Sequence, residues 1–325
     1  MATESTMAQR PAAMDWRSRD SVKDFGKELY AEIKGDKVTT LAAAFAYYTV
    51  FAIPALIILS VTVAALLNDA TNVPVVEHLR TFIQDRAPAN TKDLLNSIVN
   101  NAIAKVGNGA SVGAILAALI ALWSGSNAIA ALIESFNTAY GVEESRPFVR
   151  KKGLTIGLTL LLVVFINVAF VLLVFGRNIG HWLADQAGLG SAFNVLWNVA
   201  RWPVAIAAVM LILAVLYYAG PNVEQSFRWI SPGSVAATIL WLLATAVVGI
   251  YLKFSNPGSA YGVVGSVLVL LFFLYLTGII FLVGAEINAV LGKRYDPATV
   301  QDLATKPTVK PETRARAQER ARQVT

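Results

Sequence analysis

The chain has 325 residues, of which 56% are hydrophobic and only 15% are charged, whereas soluble domains carry roughly 25% charged residues. The charges gather near the ends: residues 1–40 contain 7 Lys or Arg and 7 Asp or Glu, and residues 292–325 contain 8 and 4. The middle therefore has too little charge to cover a water-facing surface. This composition indicates an all-α polytopic membrane protein and excludes a secreted, disordered or ordinary cytosolic chain. Because the sequence has no Cys, disulfides and Cys-ligated metal sites are excluded as well.

The N-terminal segment, residues 1–40, is polar and precedes every apolar run, so no cleaved signal peptide is expected. Within it, Val22, Phe25, Leu29 and Ile33 recur at helical spacing, and charged residues occupy the remaining positions. This pattern predicts an amphipathic helix that lies on the membrane surface or caps the bundle.

Six stretches of the chain meet the requirement of about 20 mostly apolar residues for a membrane-spanning helix. Pro54 predicts a kink in the first, because proline removes a helical hydrogen bond. Together the six stretches predict a transmembrane domain over residues 41–291. Their predicted bounds are 41–67, 112–140, 154–175, 195–218, 235–251 and 263–291.

Six spans place both chain termini on the same side of the membrane. If that side is the cytoplasm, 20 of the 27 Lys and Arg residues fall in cytoplasmic segments. Cytoplasmic segments of membrane proteins carry an excess of Lys and Arg, so this distribution predicts cytoplasmic N- and C-termini. The same bias accounts for the pI of about 9.5, and no nucleic-acid partner is predicted.

Two further segments flank the predicted spans. The outer loop, residues 68–111, has apolar residues at helical spacing on both sides of Pro88, among them Ile83 and Val99. We expect two short amphipathic helices that pack over the outer mouth of the bundle. Residues 292–325 have almost nothing apolar to bury, and the composition predicts a disordered, basic cytoplasmic tail.

Ionisable side chains inside spans are informative, because a charge near the bilayer centre costs ~2.5–3.5 kcal/mol on insertion scales. Asn127, Glu134 and Asn137 share one face of the second predicted span, and Glu286 lies in the sixth. One interpretation is a polar cavity or an ion-coupled site between these two helices. The alternative is that both glutamates, within two turns of the cytoplasmic ends, reach lipid headgroups or form hydrogen bonds within the bundle.

Basic residues cluster where the third predicted span begins. Each can contribute ~1 kcal/mol of attraction to anionic lipid headgroups, although the cluster is equally well explained as a marker of topology. The sequence contains no HExxH, P-loop or GxSxG motif, so no enzymatic activity, cofactor or metal site is predicted. The basic cluster consists of Arg146, Arg150, Lys151 and Lys152.

Four stretches between about residues 37 and 291 resemble the YihY/BrkB family of bacterial inner-membrane proteins. They are LAAAFAYY at 41–48 leading to Pro54, SGSNAIAALIESFNTAYGVEESRPF at 124–148, Gly220-Pro221 with Pro232-Gly233, and Tyr261-Gly262 through GAEIN at 284–288. The resemblance implies a six-helix protein of the inner membrane. Members of this family have carried a ribonuclease label, have been linked to serum resistance, or have been proposed to export lipids.

If lipid export applies, the residues that match the family stretches are candidates for the lining of a cavity. The sequence then predicts movement or flipping of a lipid or other amphiphile, with membrane lipids as partners. The alternative is a membrane scaffold or envelope assembly factor that does not transport. Neither the substrate nor the oligomeric state follows from the sequence. The candidate cavity or packing residues are Asn127, Glu134, Asn137, Tyr261, Gly262 and Glu286.

Overall fold

A computed structural model of the chain is all-α, which confirms the predicted fold class. The structure describes residues 19–71, 75–86, 92–93, 96–97, 99–101, 103–104, 111–187, 190–255 and 257–324. Within these ranges ten helices have defined bounds: α1 Arg19–Gly35, α2 Val38–Thr71, α3 Val75–Arg86, α4 Ser111–Tyr140, α5 Phe148–Ala187, α6 Gly190–Ala219, α7 Pro232–Ser255, α8 Pro257–Tyr295, α9 Pro297–Thr305 and α10 Pro311–Val324.

Each predicted span lies within one of the helices α2 and α4–α8, and every helix extends beyond the predicted apolar run. Among the described residues, four helices are long and apolar enough to cross a membrane, and α2 begins with a shorter apolar stretch, Val38–Ile53. The four candidate spans are Phe148–Val168, Leu196–Ala219, Pro232–Ser255 and Val267–Tyr295.

The helices pack as a bundle in which α2 contacts α4 and α8, α5 contacts α4 and α6, and α7 contacts α6 and α8. The main core forms where α4, α6 and α8 meet, and α2 and α5 complete it. Close van der Waals packing of these large apolar side chains holds the helices together, because lipid tails are as apolar as the side chains themselves. The core includes Phe45, Ile129, Leu132, Ile133, Phe136, Leu158, Leu213, Tyr217 and Ile280.

Large apolar side chains on the outside of the same helices are exposed, as a lipid-facing surface requires. Towards one end of the bundle the exposed residues become aromatic, and Trp and Tyr are typical of the membrane–water boundary. We call this group the aromatic belt. Its members are Tyr47, Tyr48, Phe51, Trp123, Phe148, Tyr218, Phe227 and Trp229.

Beyond the aromatic belt the chain forms a helical cap, made of α1, α9, α10 and the last turns of α4 and α8. From Trp123 to Tyr140, α4 continues for ~25 Å at 1.5 Å per residue. Tyr140 is buried there against Leu303, Val309 and Ala317 of the C-terminal segment. We refer to this end of the molecule as the capped end.

The ordered C-terminal segment differs from the prediction of a disordered tail over residues 292–325. Among the described apolar residues of this segment, Leu303, Val309 and Ala317 are buried and pack into the core of the cap. An isolated β-bridge also joins Val309 to Val142 in the α4–α5 connection. Composition predicted disorder because it counts apolar residues and not their positions.

The predicted amphipathic helices also pack on the bundle. The inner face of α1 contributes Ile33, which packs beside the buried Leu282 of α8. At the other end, Ile83 of α3 and Val99 are buried together against Ile57 of α2. The described residues of 92–104 are helical, and the other positions of this predicted helix lie outside the described residues.

Candidate functional site at the capped end

The residues predicted to line one cavity lie in different environments. On α4, Asn127 and Glu134 are exposed, whereas Asn137 is buried. On α8, Glu286 is fully buried. Tyr261 belongs to the first turns of the same helix, ~38 Å from Glu286 at 1.5 Å per residue.

Gly262 follows Tyr261 in α8. The side-chain surroundings of both positions lie outside the described residues. Among the described candidates, Asn137 and Glu286 are both buried at the capped end, and each has neighbours of its own.

Asn137 belongs to a polar clamp, which joins the α4–α5 connection to the α6–α7 connection. Its amide donates to Glu144 Oε2 (3.1 Å), and its Oδ1 accepts from the backbone N–H of Asn222 (2.6 Å). Arg146 pairs with Glu144 (Nε–Oε1 2.7 Å) and donates to the Gly220 carbonyl oxygen (2.7 Å). Burial alone would raise the pKa of Glu144, but the hydrogen bonds and charge of Arg146 outweigh it and hold this pKa below the usual range.

Asp296, at the start of α9, fixes the α6–α7 connection to the cap. It accepts hydrogen bonds from the Ser226 N–H (3.0 Å), the Ser226 hydroxyl (2.7 Å) and the Thr299 hydroxyl (2.7 Å). Although burial acts to raise the pKa of Asp296, these hydrogen bonds keep it below its ordinary value. Asp296 therefore remains charged and holds the connection in place.

A close approach of α7 and α8 completes the frame around the site. A Cβ atom built on Gly233 would lie 2.0 Å from the carbonyl oxygen of Gly284. Asn288 accepts from the Gly233 N–H (2.9 Å) and donates to the Ser231 hydroxyl (3.0 Å). The family-like pairs Pro232-Gly233 and Gly284 to Asn288 thus serve helix packing.

Asn127 belongs to a second arrangement, the interfacial lysine site, formed by Lys152, Trp123, Ser126 and Asn127. The Lys152 ammonium donates to the Ser126 hydroxyl (2.7 Å), the Trp123 carbonyl (3.0 Å) and Asn127 Oδ1 (3.2 Å). It also lies 4.2 Å from the centroid of the Trp123 ring, within cation–π range. All of these partners are neutral.

The positive charge of Lys152 has no carboxylate partner among the described residues, whose ion pairs all involve other cations. The site lies at the aromatic belt, because Trp123 is half exposed and its ring is 6.4 Å from that of the exposed Phe148. A cation at the membrane boundary with only neutral partners attracts an anionic group. The basic cluster and Asn127 were the two sequence signals for it, but their contact was not predicted.

A larger cleft of about 550 Å³ opens beside the belt residue Tyr218. Two of its three cations are already paired: Arg146 with Glu144, and Lys306 with Asp302 (3.3 Å). The cleft is therefore less suited to an anion than the interfacial lysine site. In the described part of the chain, no three His, Asp or Glu side chains are grouped so that they could hold a metal ion.

The buried Glu286 has an unusual neighbour. Its carboxyl group lies within hydrogen-bonding reach of Asp36, in the turn between α1 and α2. No described donor bonds to either oxygen of Glu286 or to Oδ2 of Asp36. Burial, and then the nearby charge of Glu32, raises the pKa of Asp36. We call these two residues the carboxyl pair.

Comparison with known proteins assigns the chain to a family. A family model described as virulence factor BrkB matches residues 29–308, which include the polar clamp, the interfacial lysine site and the carboxyl pair. The chain belongs to the BrkB family. This membership confirms the resemblance found in the sequence.

Relatives of this BrkB protein come from several bacteria. The ribonuclease-like protein YfkH of Bacillus subtilis is 34% identical over 271 residues, which are 83% of this chain and 96% of YfkH. UPF0761 membrane proteins of Xanthomonas oryzae and Stenotrophomonas maltophilia are 25% and 26% identical over 296 and 299 residues. These matches cover 88% of this chain but only 65% of the UPF0761 proteins. No solved structure matches the chain.

These relatives and the apolar helices together identify a multi-pass membrane protein. Within the BrkB chain, the polar clamp and the close approach of α7 and α8 have a structural role, since their polar groups are hydrogen-bonded to one another. The interfacial lysine site and the carboxyl pair differ from them, because each leaves a charge or a proton acceptor without a partner.

Proposed function

We propose that this BrkB protein moves or flips an anionic lipid or a related amphiphile across the bacterial inner membrane. The interfacial lysine site carries the proposal: a cation at the aromatic belt, held by three neutral oxygens and without a carboxylate. The phosphate of a lipid headgroup would supply the missing negative charge. Its acyl chains would lie along the exposed apolar faces of α4 and α5, where Leu119 and Leu160 face outward.

The proposal includes six membrane spans, formed by α2 and α4–α8, and cytoplasmic N- and C-termini. The excess of Lys and Arg in the segments at the capped end supports this orientation. The interfacial lysine site would then face the inner leaflet. We assign no enzymatic step, cofactor or nucleic-acid partner to the chain, because its sequence offers no nucleophile or water-activating motif.

Substitution Lys152→Gln tests the proposal in liposomes that contain the purified protein and fluorescent phosphatidylglycerol or phosphatidylcholine. Losing the ammonium–phosphate contact should slow the transbilayer movement of phosphatidylglycerol by ~10-fold, equivalent to ~1.4 kcal/mol. Movement of the zwitterionic phosphatidylcholine should change much less. The rate of each lipid is read from the fluorescence that a membrane-impermeant quencher removes.

Lys151→Gln is the matched control, because it removes the same charge from the adjacent position without touching Asn127 or Trp123. It should slow phosphatidylglycerol movement clearly less than Lys152→Gln does, since it removes only the general attraction of one basic residue to an anionic membrane, ~1 kcal/mol or less. If wild type moves no anionic lipid, or if the two variants are equally impaired, the proposal is wrong.

A non-transporting scaffold is the second candidate, and the ordered cap favours it. On α10, Arg316 and Glu319 are exposed while Ala317 packs into the cap core. A helix anchored on one face can present its charged face to a partner protein.

Charge reversal at Arg316 separates the two functions without removing the buried residues of the C-terminal segment. Arg316→Glu should leave lipid movement within twofold of wild type if the protein is a transporter, because Arg316 is remote from the aromatic belt. Loss of a cross-linked partner in cells, with no lipid movement by wild type, would instead favour the scaffold. Glu319→Lys serves as the opposite reversal on the same helix.

A further inference from the structure

The carboxyl pair, Asp36 and Glu286, lies apart in sequence from the interfacial lysine site and shares no residue with it. Glu286 has no exposed surface. Both of its oxygens and Oδ2 of Asp36 receive no hydrogen bond from any described donor. A buried ionised carboxylate without donors carries a large desolvation cost.

Two carboxyl groups within reach of each other can form a hydrogen bond only if one of them carries a proton, because an ionised carboxylate is an acceptor only. Like charges so close strongly oppose ionisation of both groups. The same proton therefore satisfies two requirements: it removes one buried charge, and it supplies the missing donor.

The charges around the carboxyl pair are balanced when the pair holds one proton. Three acids lie together, and two lysines face them, so one added proton balances the cluster. Lys293 also pairs with Glu32 at 3.5 Å, which leaves less of its charge for the carboxyl pair. The facing groups are Glu32 from α1, Lys293 from α8, Lys310 from the α9–α10 connection and, more remotely, the Tyr140 hydroxyl of α4 and its neighbour Asp296.

The pair connects two parts of the molecule. Asp36 and Lys37 form the turn between α1 and α2, and the left-handed backbone of Lys37 (φ 52°) fixes the chain direction into α2. The ion pairs Glu32–Lys293 and Glu28–Arg294 also attach α1 to α8. A repulsion between Asp36 and Glu286 would act directly on this attachment.

We propose that Asp36 and Glu286 form a proton-binding site that holds one shared proton at neutral pH, and that its release loosens α1 from the bundle. The ligand is the proton itself. The state of α1 then reports the pH on the capped side of the membrane. This proton-binding site does not depend on the lipid movement proposed above, so either proposal can be disproved without the other.

Hydrogen exchange on the full-length protein in lipid nanodiscs tests the site. Between about pH 6 and about pH 9, exchange of the α1 amides in wild type should accelerate by at least ~10-fold beyond the intrinsic pH effect, because the pair loses its proton. Glu286→Gln carries a permanent donor at this position and should keep α1 protected across the range. Asp24→Asn, on the exposed face of α1, is the matched control and should behave as wild type.

Infrared difference spectra provide a second measurement that does not depend on helix motion. Wild type should show a protonated carboxyl band at neutral pH that disappears in alkali, and Glu286→Gln should lack it. Asp36→Asn is the second variant if Glu286→Gln does not fold, and it should likewise abolish the band. The proposal is overturned if wild type has no such band, or if α1 exchange in Glu286→Gln keeps the pH dependence of wild type.

Discussion

Gly233→Ala should destabilise the helix bundle by about 3 kcal/mol, the upper part of the usual range for overpacking a core. The added Cβ would lie 2.0 Å from the Gly284 carbonyl oxygen, and this neighbour is backbone that cannot rotate away. Gly284→Ala should have a similar effect, since its Cβ would lie 2.3 Å from the Tyr217 hydroxyl and 2.9 Å from the Ala237 Cβ. Each change would force α7 and α8 apart where small residues let them touch.

Thermal unfolding in detergent, followed by intrinsic fluorescence, measures this effect. Gly249→Ala is the matched control on α7, because a Cβ at Gly249 meets nothing within 4 Å. Alanine is favoured over glycine in a helix by up to ~1 kcal/mol, so the control should unfold at the same temperature as wild type or higher. Equal unfolding temperatures for Gly233→Ala and Gly249→Ala would show that the two helices do not approach so closely.

The close approach of α7 and α8 was not predicted from the sequence, in which Pro232-Gly233 and residues 284–288 were noted only because they resemble the family. Apolar periodicity predicts which residues form helices, and it located α2 and α4–α8. It does not predict which glycine meets which, because contacts between helices depend on their crossing geometry. Gly233 and Ala237 have small-residue spacing in the sequence, and so do Gly258, Gly262 and Ser266, so the spacing alone does not tell which of them meets a neighbouring helix.

Helix ends were predicted less well than helix centres. The hydropathy of a span falls where charged residues begin, so the third predicted span was started at 154 although α5 begins at Phe148 and includes Lys152 in its first turns. Likewise α8 continues through Lys293 to Tyr295, into the cap. The last turns of α8 are partly buried in the cap, whereas the first turn of α5 is exposed at the aromatic belt.

The cap could not be predicted from composition, because its core joins residues that are far apart in the chain. Leu303 and Val309 become buried only by packing on Tyr140 and Val142. Viewed alone, residues 292–325 have too few apolar side chains to form a core of their own. Long-range contact, and not local sequence, therefore orders this segment.

The candidate functional residues, too, were predicted where the signal is local and missed where it depends on long-range contact. Asn127 and Glu286 were identified as polar residues in apolar surroundings, which is a local property of the sequence. Their partners were not identified: Lys152 is 25 residues from Asn127, and Asp36 lies in a different helical segment from Glu286. The sequence could indicate that Glu286 is unusual, but only the structure shows that another acid, Asp36, lies beside it.

Asn137 and Asn127 lie on one face of α4, but the first has a structural role and the second belongs to the candidate lipid site. Asn137 is bonded within the polar clamp, and its substitution should act through stability. Asn127 is exposed beside Lys152, and its substitution should act through lipid movement. Stability measured beside activity therefore separates the two residues, even though their spacing in the sequence suggested a shared role.

Arg146→Ala should cost about 3 kcal/mol of stability, because it removes one partner of a mostly buried ion pair. The side chains of Arg146 and Glu144 are only 11% and 16% exposed. The variant also leaves the carbonyl oxygens of Gly220 and Ala219 without the donors that Arg146 provides. Arg146→Lys should rescue little, because an ammonium cannot replace the planar fork that contacts Glu144 and the α6–α7 connection together.

The pH dependence of this loss distinguishes the ion pair from simple packing. Because the pKa of Glu144 is depressed in the folded state, its contribution is present above the ordinary carboxyl pKa and is lost as the pH falls through the folded value. The stability difference between wild type and Arg146→Ala should therefore shrink in acid and stay constant above about pH 5. Denaturant unfolding at neutral and acid pH measures it, with Arg150→Ala as the control for loss of an exposed charge in the same basic cluster. A difference that persists unchanged in acid would mean that Arg146 acts through packing and backbone contacts alone.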